Sequence, residues 1–451
     1  MPLARGHRAS RGDERGARPP GRCDRDSHRG SARTAESLAL AGDEATLREC
    51  HGCGLQQSVP YLLPHSRARC VRCGTTLAAR RHKTLERALA LALTALVLLI
   101  ITATTTLMRV EQSGIVHFAD LITGPEELLR HGMPSLAVAV VFTSLLAPFL
   151  KLAGTIYVLA LLHLRNPPHH IRRAFLLVRS LGPWSMAEVL LLGAFVAYVK
   201  LQALVTITAG PALIALLALA FTLFWLDAEL DPEQVWQKIA EKGLADFAPR
   251  PVPGALACHA CGLVSLPPES VRRRCPRCGA ALHRRKPDSI VRTWALVIAA
   301  AILYIPANYY PVLTVVQLGA GAPSTILGGV IELIDASQWP LAALVFLASL
   351  AIPLLKIIGL GAMLLATQRG ATGRLRERTR LFAIIEFIGR WSMIDIFMES
   401  LLGALVRFGN LVTIEPGIGA VSFCAVVFLT MFAAASFDPR LMWDAARPAG
   451  T

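Results

Sequence analysis

The chain has 451 residues, of which 54% are hydrophobic and only 17% charged. A soluble globular domain carries about 25% charged residues, so this composition excludes an ordinary soluble enzyme and a wholly disordered, collagen-like or coiled-coil chain. Lys and Arg outnumber Asp and Glu 46 to 31, a net charge of +15, which leaves two classes open: a membrane protein with asymmetric loops, or a nucleic-acid binder with a large core.

Residues 1–47 hold Arg, Gly, Ser, Pro and Asp without an apolar run. They read as a disordered basic arm that lacks the core of a cleaved signal peptide. A cysteine module follows, in which Cys50, Cys53, Cys70 and Cys73 form C-x2-C-x16-C-x2-C. Further along, Cys258, Cys261, Cys275 and Cys278 form C-x2-C-x13-C-x2-C. Two Cys-x-x-Cys-Gly turns bring four thiolates to the corners of a tetrahedron, the usual structural zinc site. Two structural zinc sites are therefore expected; iron of the rubredoxin type uses the same ligands and is the less favoured alternative. Paired Cys-x-x-Cys spacing points to metal in a reducing compartment rather than to disulfides. His51 and His259 read as surface residues, and Cys424 as a small buried apolar side chain.

Eight apolar runs lie near 86–107, 135–164, 184–205, 208–226, 290–312, 340–366, 383–406 and 412–436. Each approaches or exceeds the roughly 20 residues that cross about 30 Å of hydrocarbon. Residues 206–211, between the third and fourth runs, read as a tight turn on Gly210-Pro211. With residues 1–87 inside and eight crossings, the inside segments collect 40 of the 46 Lys and Arg. The outside loops hold only Arg109, Arg130, Lys200 and Arg407. This is the positive-inside pattern. It puts both termini and both cysteine modules in the cytoplasm and removes nucleic acid as a partner.

The chain also repeats itself. SLLAPFLKLAG (144–154) matches SLAIPLLKIIG (349–359), WSMAEV (184–189) matches WSMIDI (391–396), and DPEQVW (231–236) matches DPRLMW (438–443). The two cysteine modules keep the same order and nearly the same offset. Each unit is a cysteine module followed by an even number of spans, so both enter the membrane the same way round, as a parallel repeat. The expected architecture is an all-α polytopic membrane protein of eight transmembrane helices in two four-helix repeats, each preceded by a small cytoplasmic zinc ribbon. The boundaries are an arm at 1–47, ribbon 48–82, membrane unit 83–232, linker and second ribbon 233–287, membrane unit 288–440 and a tail at 441–451.

Polar residues inside the spans are few, and each needs a partner, a cavity or a pathway. In the sixth span Lys356 lies one turn beyond Pro353, whose ring frees the carbonyl of Ser349. The first unit repeats this as Ser144, Pro148 and Lys151. The alternative is that either lysine snorkels to an interface. In the seventh span Asp395 and Glu399, at i and i+4, share one helix face. Two carboxylates in a low dielectric repel unless a cation such as Lys356 sits between them. The first unit has Glu188 but Leu192 where Glu399 would fall. Thr430, in the eighth span, completes the candidate cluster. Trp184 and Trp391 read as interface anchors, and Asp231-Pro232 and Asp438-Pro439 as helix-terminating steps. The chain carries no nucleophile–base constellation and no phosphate-cradling loop, so it reads as a non-enzyme without ATPase activity.

Taken with the tandem CxxCG modules, the segments ILYIPANYYPV (302–312), PLLKIIG (353–359), RWSMIDIF (390–397) and SFDPRLMWD (436–444) resemble the paraquat-inducible protein A family over about residues 48–446. The first unit departs from the pattern, with IITATTTLMRV (100–110) where the proline-containing segment would stand. The resemblance implies an inner-membrane protein of Gram-negative bacteria. It implies partners carrying mammalian-cell-entry (MCE) domains, which form periplasmic tunnels, and phospholipid moved between inner and outer membranes in support of envelope integrity. On that expectation Lys356, Asp395, Glu399, Thr430, Ser349 and Pro353 form a gating cluster, and Lys151, Glu188, Ser144 and Pro148 are its first-unit counterparts. The competing readings are a metal-dependent electron-transfer membrane protein and an ion or small-solute transporter.

Overall fold

The computed structural model of the chain describes residues 46–446, apart from 61, 64–65, 80–84, 113–114, 165, 203–205, 245–254, 266–273, 318–319 and 406–411. The expected arm lies outside these residues except for Thr46 and Leu47, which are strand rather than arm.

Each cysteine module is a pair of short hairpins or turns. In the first, β1 (Thr46–Glu49) pairs with β2 (Gln56–Val59), and β3 (Arg67–Arg69) with β4 (Thr76–Ala79), both antiparallel. In the second, β8 (Leu256–Ala257) pairs with β9 (Val264–Ser265), and Arg274 bridges to Ala281.

Between and after the modules the same order of elements occurs twice. In the first half α1 (Leu85–Thr104) leads to β5 (Met108–Gln112), β6 (Ile115–Ala119) and the short α2 (Thr123–Arg130). α3 (Pro134–Val141) passes through a π-helical turn, Phe142–Leu146, into α4 (Ala147–Leu162). α5 (Ile171–Leu181) passes through a 3₁₀ turn, Gly182–Trp184, toward α6 (Ala187–Gln202). β7 (Thr206–Ala209), α7 (Pro211–Glu229) and α8 (Pro232–Glu241) close the half. The second half runs α9 (Ser289–Tyr309), β10 (Leu313–Gln317), β11 (Ala320–Ser324), α10 (Ile326–Asp335) and α11 (Trp339–Val345). A π turn, Phe346–Ala351, leads into α12 (Ile352–Gln368). After it come α13 (Leu375–Ile388), a 3₁₀ turn at Gly389–Met393, α14 (Ile394–Leu405), β12 (Val412–Pro416), α15 (Ile418–Ser436) and α16 (Arg440–Ala445).

Seven helices among the described residues are long and apolar enough to cross a membrane: Leu85–Thr104, Pro134–Leu162, Ile171–Val199, Pro211–Glu229, Ser289–Tyr309, Trp339–Gln368 and Ile418–Ser436. Their outer faces expose Phe224 at 76% and Ile305 at 70%, surface that hydrocarbon accepts at no cost and water does not. Small residues let the helices approach closely. Ala88, Ala92, Ala95 and Leu99 form the buried stripe of α1, which packs along α7. Thr293, Val297, Ala300 and Ala307 are buried on α9, which packs along α15.

Two expectations change here. First, the seventh apolar run is not among these seven helices: it falls on the end of α13, the 3₁₀ turn and the twelve-residue α14, the same break at which α5 passes through its own 3₁₀ turn toward α6. Residues Ser392–Gly403 are all buried, so α14 faces protein rather than lipid, and it packs against α6 and α2 of the first half. Gly193 of α6 makes the crossing possible, because a Cβ there would meet the Phe397 Cβ at 2.9 Å.

Second, the fold is not purely helical. β6-β5-β7 and β11-β10-β12 form two three-stranded antiparallel sheets, at the helix ends remote from the cysteine modules. The segment 206–211, expected as a turn, contains β7 and the start of α7. Gly210 is needed for close approach rather than for turning: its amide donates to Leu107 O at 3.0 Å, and a Cβ would strike the Thr106 carbonyl. Gly417 does the same in the second half, donating to Val312 O at 2.7 Å.

Candidate metal centres and intramembrane polar site

The four Sγ atoms of Cys50, Cys53, Cys70 and Cys73 lie within 4.8 Å of one another, as do those of Cys258, Cys261, Cys275 and Cys278. Cys50–Cys73 and Cys53–Cys70 approach to 3.4 and 3.5 Å, and Cys258–Cys278 and Cys261–Cys275 to 3.5 Å. Tetrahedral zinc with bonds of about 2.3 Å places its sulfurs roughly 3.8 Å apart, so both donor sets fit a single metal. The turns that bring them together are alike. Gly54 donates to Cys50 O at 2.8 Å and Gly262 to Cys258 O at 2.9 Å. Gly54, Gly74, Gly262 and Gly279 all sit at φ between 71° and 79°, which a side chain would resist. All eight cysteines are buried. Hydrogen bonding within each set pushes Cys50 and Cys258 below the ordinary thiol value and Cys53 and Cys261 above it. Four such groups give up protons most readily to a cation. His51 is exposed, as expected, and His259 lies 3.4 Å from Arg440; neither belongs to a metal set. Cys424 is buried.

The two membrane lysines have different surroundings. Lys356 is 2% exposed and its Nζ donates to Thr430 Oγ1 at 3.0 Å. Thr430 in turn donates to Val427 O at 2.9 Å. Lys151 reaches instead to the Asp227 carboxylate, at 2.8 and 2.9 Å to its two oxygens. The repeat offset aligns Thr430 with Leu223 and Asp227 with Ala434. The partner of Lys356 thus lies one turn deeper, about 6 Å along the last helix of its half. Both lysines are buried, Lys151 at 6% and Lys356 at 2%, but the Asp227 partner of Lys151 is 58% exposed at its side chain whereas Thr430 is fully buried.

Asp395 and Glu399 are buried on α14, between the halves. Among the described residues the partner of the Lys356 ammonium is Thr430. Glu188 is half-buried in the first turn of α6. Ser144, in the first π turn, donates to Val140 O at 2.7 Å. Ser349, in the second, is fully buried without a hydrogen-bond partner among the described residues, as is Ser392. Pro148 and Pro353 are each the second residue after their π turns. A π turn widens the helix and frees a carbonyl: Tyr304 of α9 donates to Leu350 O there, at 3.1 Å. Tyr304, Ser392 and Asp227 went unnoticed in the sequence. Only Asp227, an acid four residues before Asp231 at the end of an apolar run, carried a legible signal.

Trp184 is not a simple interface anchor. It stacks on Phe428 at 5.9 Å and packs against Phe432 and Phe142, joining the two halves. Asp231 starts a helix rather than only ending one, since its side chain accepts from Glu233 N at 3.0 Å.

The comparisons with known proteins agree with this layout. A sequence model described as paraquat-inducible protein A matches residues 85–240 and again 290–447. An Escherichia coli protein named intermembrane transport protein PqiA is 34% identical over 406 residues, 88% of this chain and 95% of its own. A second Escherichia coli protein, named lipophilic envelope-spanning tunnel protein A, is 30% identical over 88% of this chain and 91% of its own. A probable intermembrane transport protein of Haemophilus influenzae is 26% identical over 88% and 95%. No solved structure matches.

Proposed function

This chain belongs to the paraquat-inducible protein A family, and we propose that it is the inner-membrane component of a system that moves lipid between the two membranes of a Gram-negative envelope. Its periplasmic partner is a tunnel protein with MCE domains, and its substrate is membrane phospholipid. Eight membrane crossings in two parallel four-helix repeats put both termini and both cysteine modules in the cytoplasm. On this reading the two cysteine sets hold structural zinc, which supplies fold stability and no catalysis.

The observation that carries the reading is the buried Lys356–Thr430 hydrogen bond, made between α12 and α15, which on this reading lies at hydrocarbon depth. A desolvated ammonium is expensive there, and a protein keeps one for a purpose. With Asp395 and Glu399 on α14, Ser349 and Pro353 it forms the gate of the lipid path. Lys151, Glu188, Ser144 and Pro148 form a structural counterpart.

The test is complementation of a deletion strain under detergent stress by Lys356→Ala and by Asp395→Asn, each checked for normal protein level. Loss of resistance with both supports the gate. Full resistance with both removes it.

A further inference from the structure

Each cysteine module precedes one half in sequence but docks on the other. The first module meets the second half. The Arg72 guanidinium lies over the Trp443 ring, 4.4 Å from its centroid. Arg376 of α13 donates to Arg72 O at 2.6 Å, and Trp443 Nε1 donates to Thr379 Oγ1 at 3.0 Å. Glu49, buried in the same module, accepts from Arg440 of α16 at 2.7 Å. Cys50, Cys53, Cys70 and Cys73 share an apolar cluster with Phe382, Met442 and Trp443.

The second module meets the first half by the same devices. The Arg277 guanidinium lies over Trp236 of α8, 5.5 Å from its centroid, and pairs with Glu233 at 2.5 Å. Arg172 of α5 donates to Pro276 O at 3.2 Å and Arg179 to Ala260 O at 3.0 Å. Arg72 and Arg277 both sit in the residue before the last cysteine of their module, and Trp443 and Trp236 both in the Asp-Pro-containing helix. The two docks are thus one recognition used twice, in crossed order.

The modules also touch each other. Gln56 Nε2 donates to Ala255 O at 2.8 Å and Arg285 reaches Glu49 at 3.4 Å, while a lone ion pair ties each module to its own half, Arg48 to Glu233 of α8 at 3.4 Å and Arg285 to Asp444 of α16 at 2.6 Å.

We propose that the two metal modules are a crossed clasp: each holds the cytoplasmic end of the opposite membrane half, and metal at one site sets the order of the helix that ends the other half. A metal bound by four thiolates fixes the Cys-x-Arg-Cys turn. Without it the arginine loses the backbone that aims it at the tryptophan.

The test is hydrogen–deuterium exchange, read by peptide mass spectrometry, on the full-length chain in nanodiscs. The variants are Cys50→Ser/Cys53→Ser and Cys258→Ser/Cys261→Ser, with zinc content measured on each. With the first pair, exchange is expected to rise about tenfold in α16 and the start of α13 while α8 changes little, the size of a lost, partly desolvated cation–π contact and its hydrogen bonds. With the second pair the larger rise falls on α8 and α5 and a smaller one on α16, which the second module touches through His259–Arg440 and Arg285–Asp444. Arg72→Ala and Arg277→Ala, which keep every metal ligand, give the same crossed pattern if the cysteine variants misfold. A rise confined to the half that follows the altered module in sequence, an equal rise in both halves, or no rise overturns the clasp.

Discussion

Replacing Thr430 with Val removes the acceptor of the Lys356 ammonium while keeping the volume of the side chain. Lys356 donates to that oxygen at 3.0 Å and is sealed from solvent, so no water replaces the lost bond. A hydrogen bond from a charged donor is worth about 1.5–3 kcal/mol, and a buried donor without an acceptor costs at least as much. Thr430→Val should therefore destabilise by about 2 kcal/mol. Lys356→Met removes the buried charge itself, and such replacements by apolar residues of similar length are neutral or stabilising by roughly 1–4 kcal/mol. The double variant Lys356→Met/Thr430→Val should then lie within about 1 kcal/mol of Lys356→Met alone, leaving a coupling of about 2 kcal/mol. The assay is thermal unfolding of the detergent-solubilised protein, where about 2 kcal/mol is a shift of a few degrees at most in a chain of this length. The same three variants, tested for envelope complementation, should all fail, because stability and gating are separate properties of the pair. The reasoning is refuted if Thr430→Val melts like the parent, or if the double variant melts as low as Thr430→Val alone.

Purified protein should contain two zinc atoms per chain by elemental mass spectrometry and show no visible absorbance band; iron with such a band would favour electron transfer. Asp227→Asn should complement fully and cost about 1–2 kcal/mol, since the Asp227 side chain is more than half exposed but Lys151 is only 8% exposed and keeps a neutral acceptor in place of the carboxylate; a melting point equal to the parent's would mean the pair behaves as a surface pair. Gly193→Leu should force α6 from α14, because even a Cβ meets Phe397 at 2.9 Å, with a loss of about 1–3 kcal/mol from overpacking; an unchanged melting point would mean the crossing has room to give.

Much of this fold was legible in the sequence because bilayers demand long apolar runs and metals demand fixed spacings. The helix α1 is a run of Leu, Ala and Ile, and nothing but a span or a buried helix accommodates it. The cysteine turns carry their own geometry in four residues each. The strands were not legible for the opposite reason. LTVVQ (313–317) continues the apolar run that forms α9, and no period distinguishes five strand residues from a frayed helix end. That α14 is buried in protein was not legible because a helix buried in protein and one bathed in lipid look alike in hydropathy. Only its two carboxylates, Asp395 and Glu399, set it apart. The arginine–tryptophan docks lay beyond any local pattern: Arg72 and Trp443 are separated by most of the chain.

That separation has a consequence for synthesis. The first metal module leaves the ribosome long before its dock exists, since Trp443 follows Cys50 by about 390 residues; at about 5–20 residues per second the wait is roughly 20–80 s. During that interval the apolar side of the module, which ends up against Phe382, Met442 and Trp443, is uncovered. The second module waits for nothing, because Trp236 and Glu233 have already been made. The final turns of the chain are therefore the last closure in assembly. A nascent protein cut short before α16 would hold its first metal on an undocked module, with the exposed apolar surface that quality-control proteases recognise.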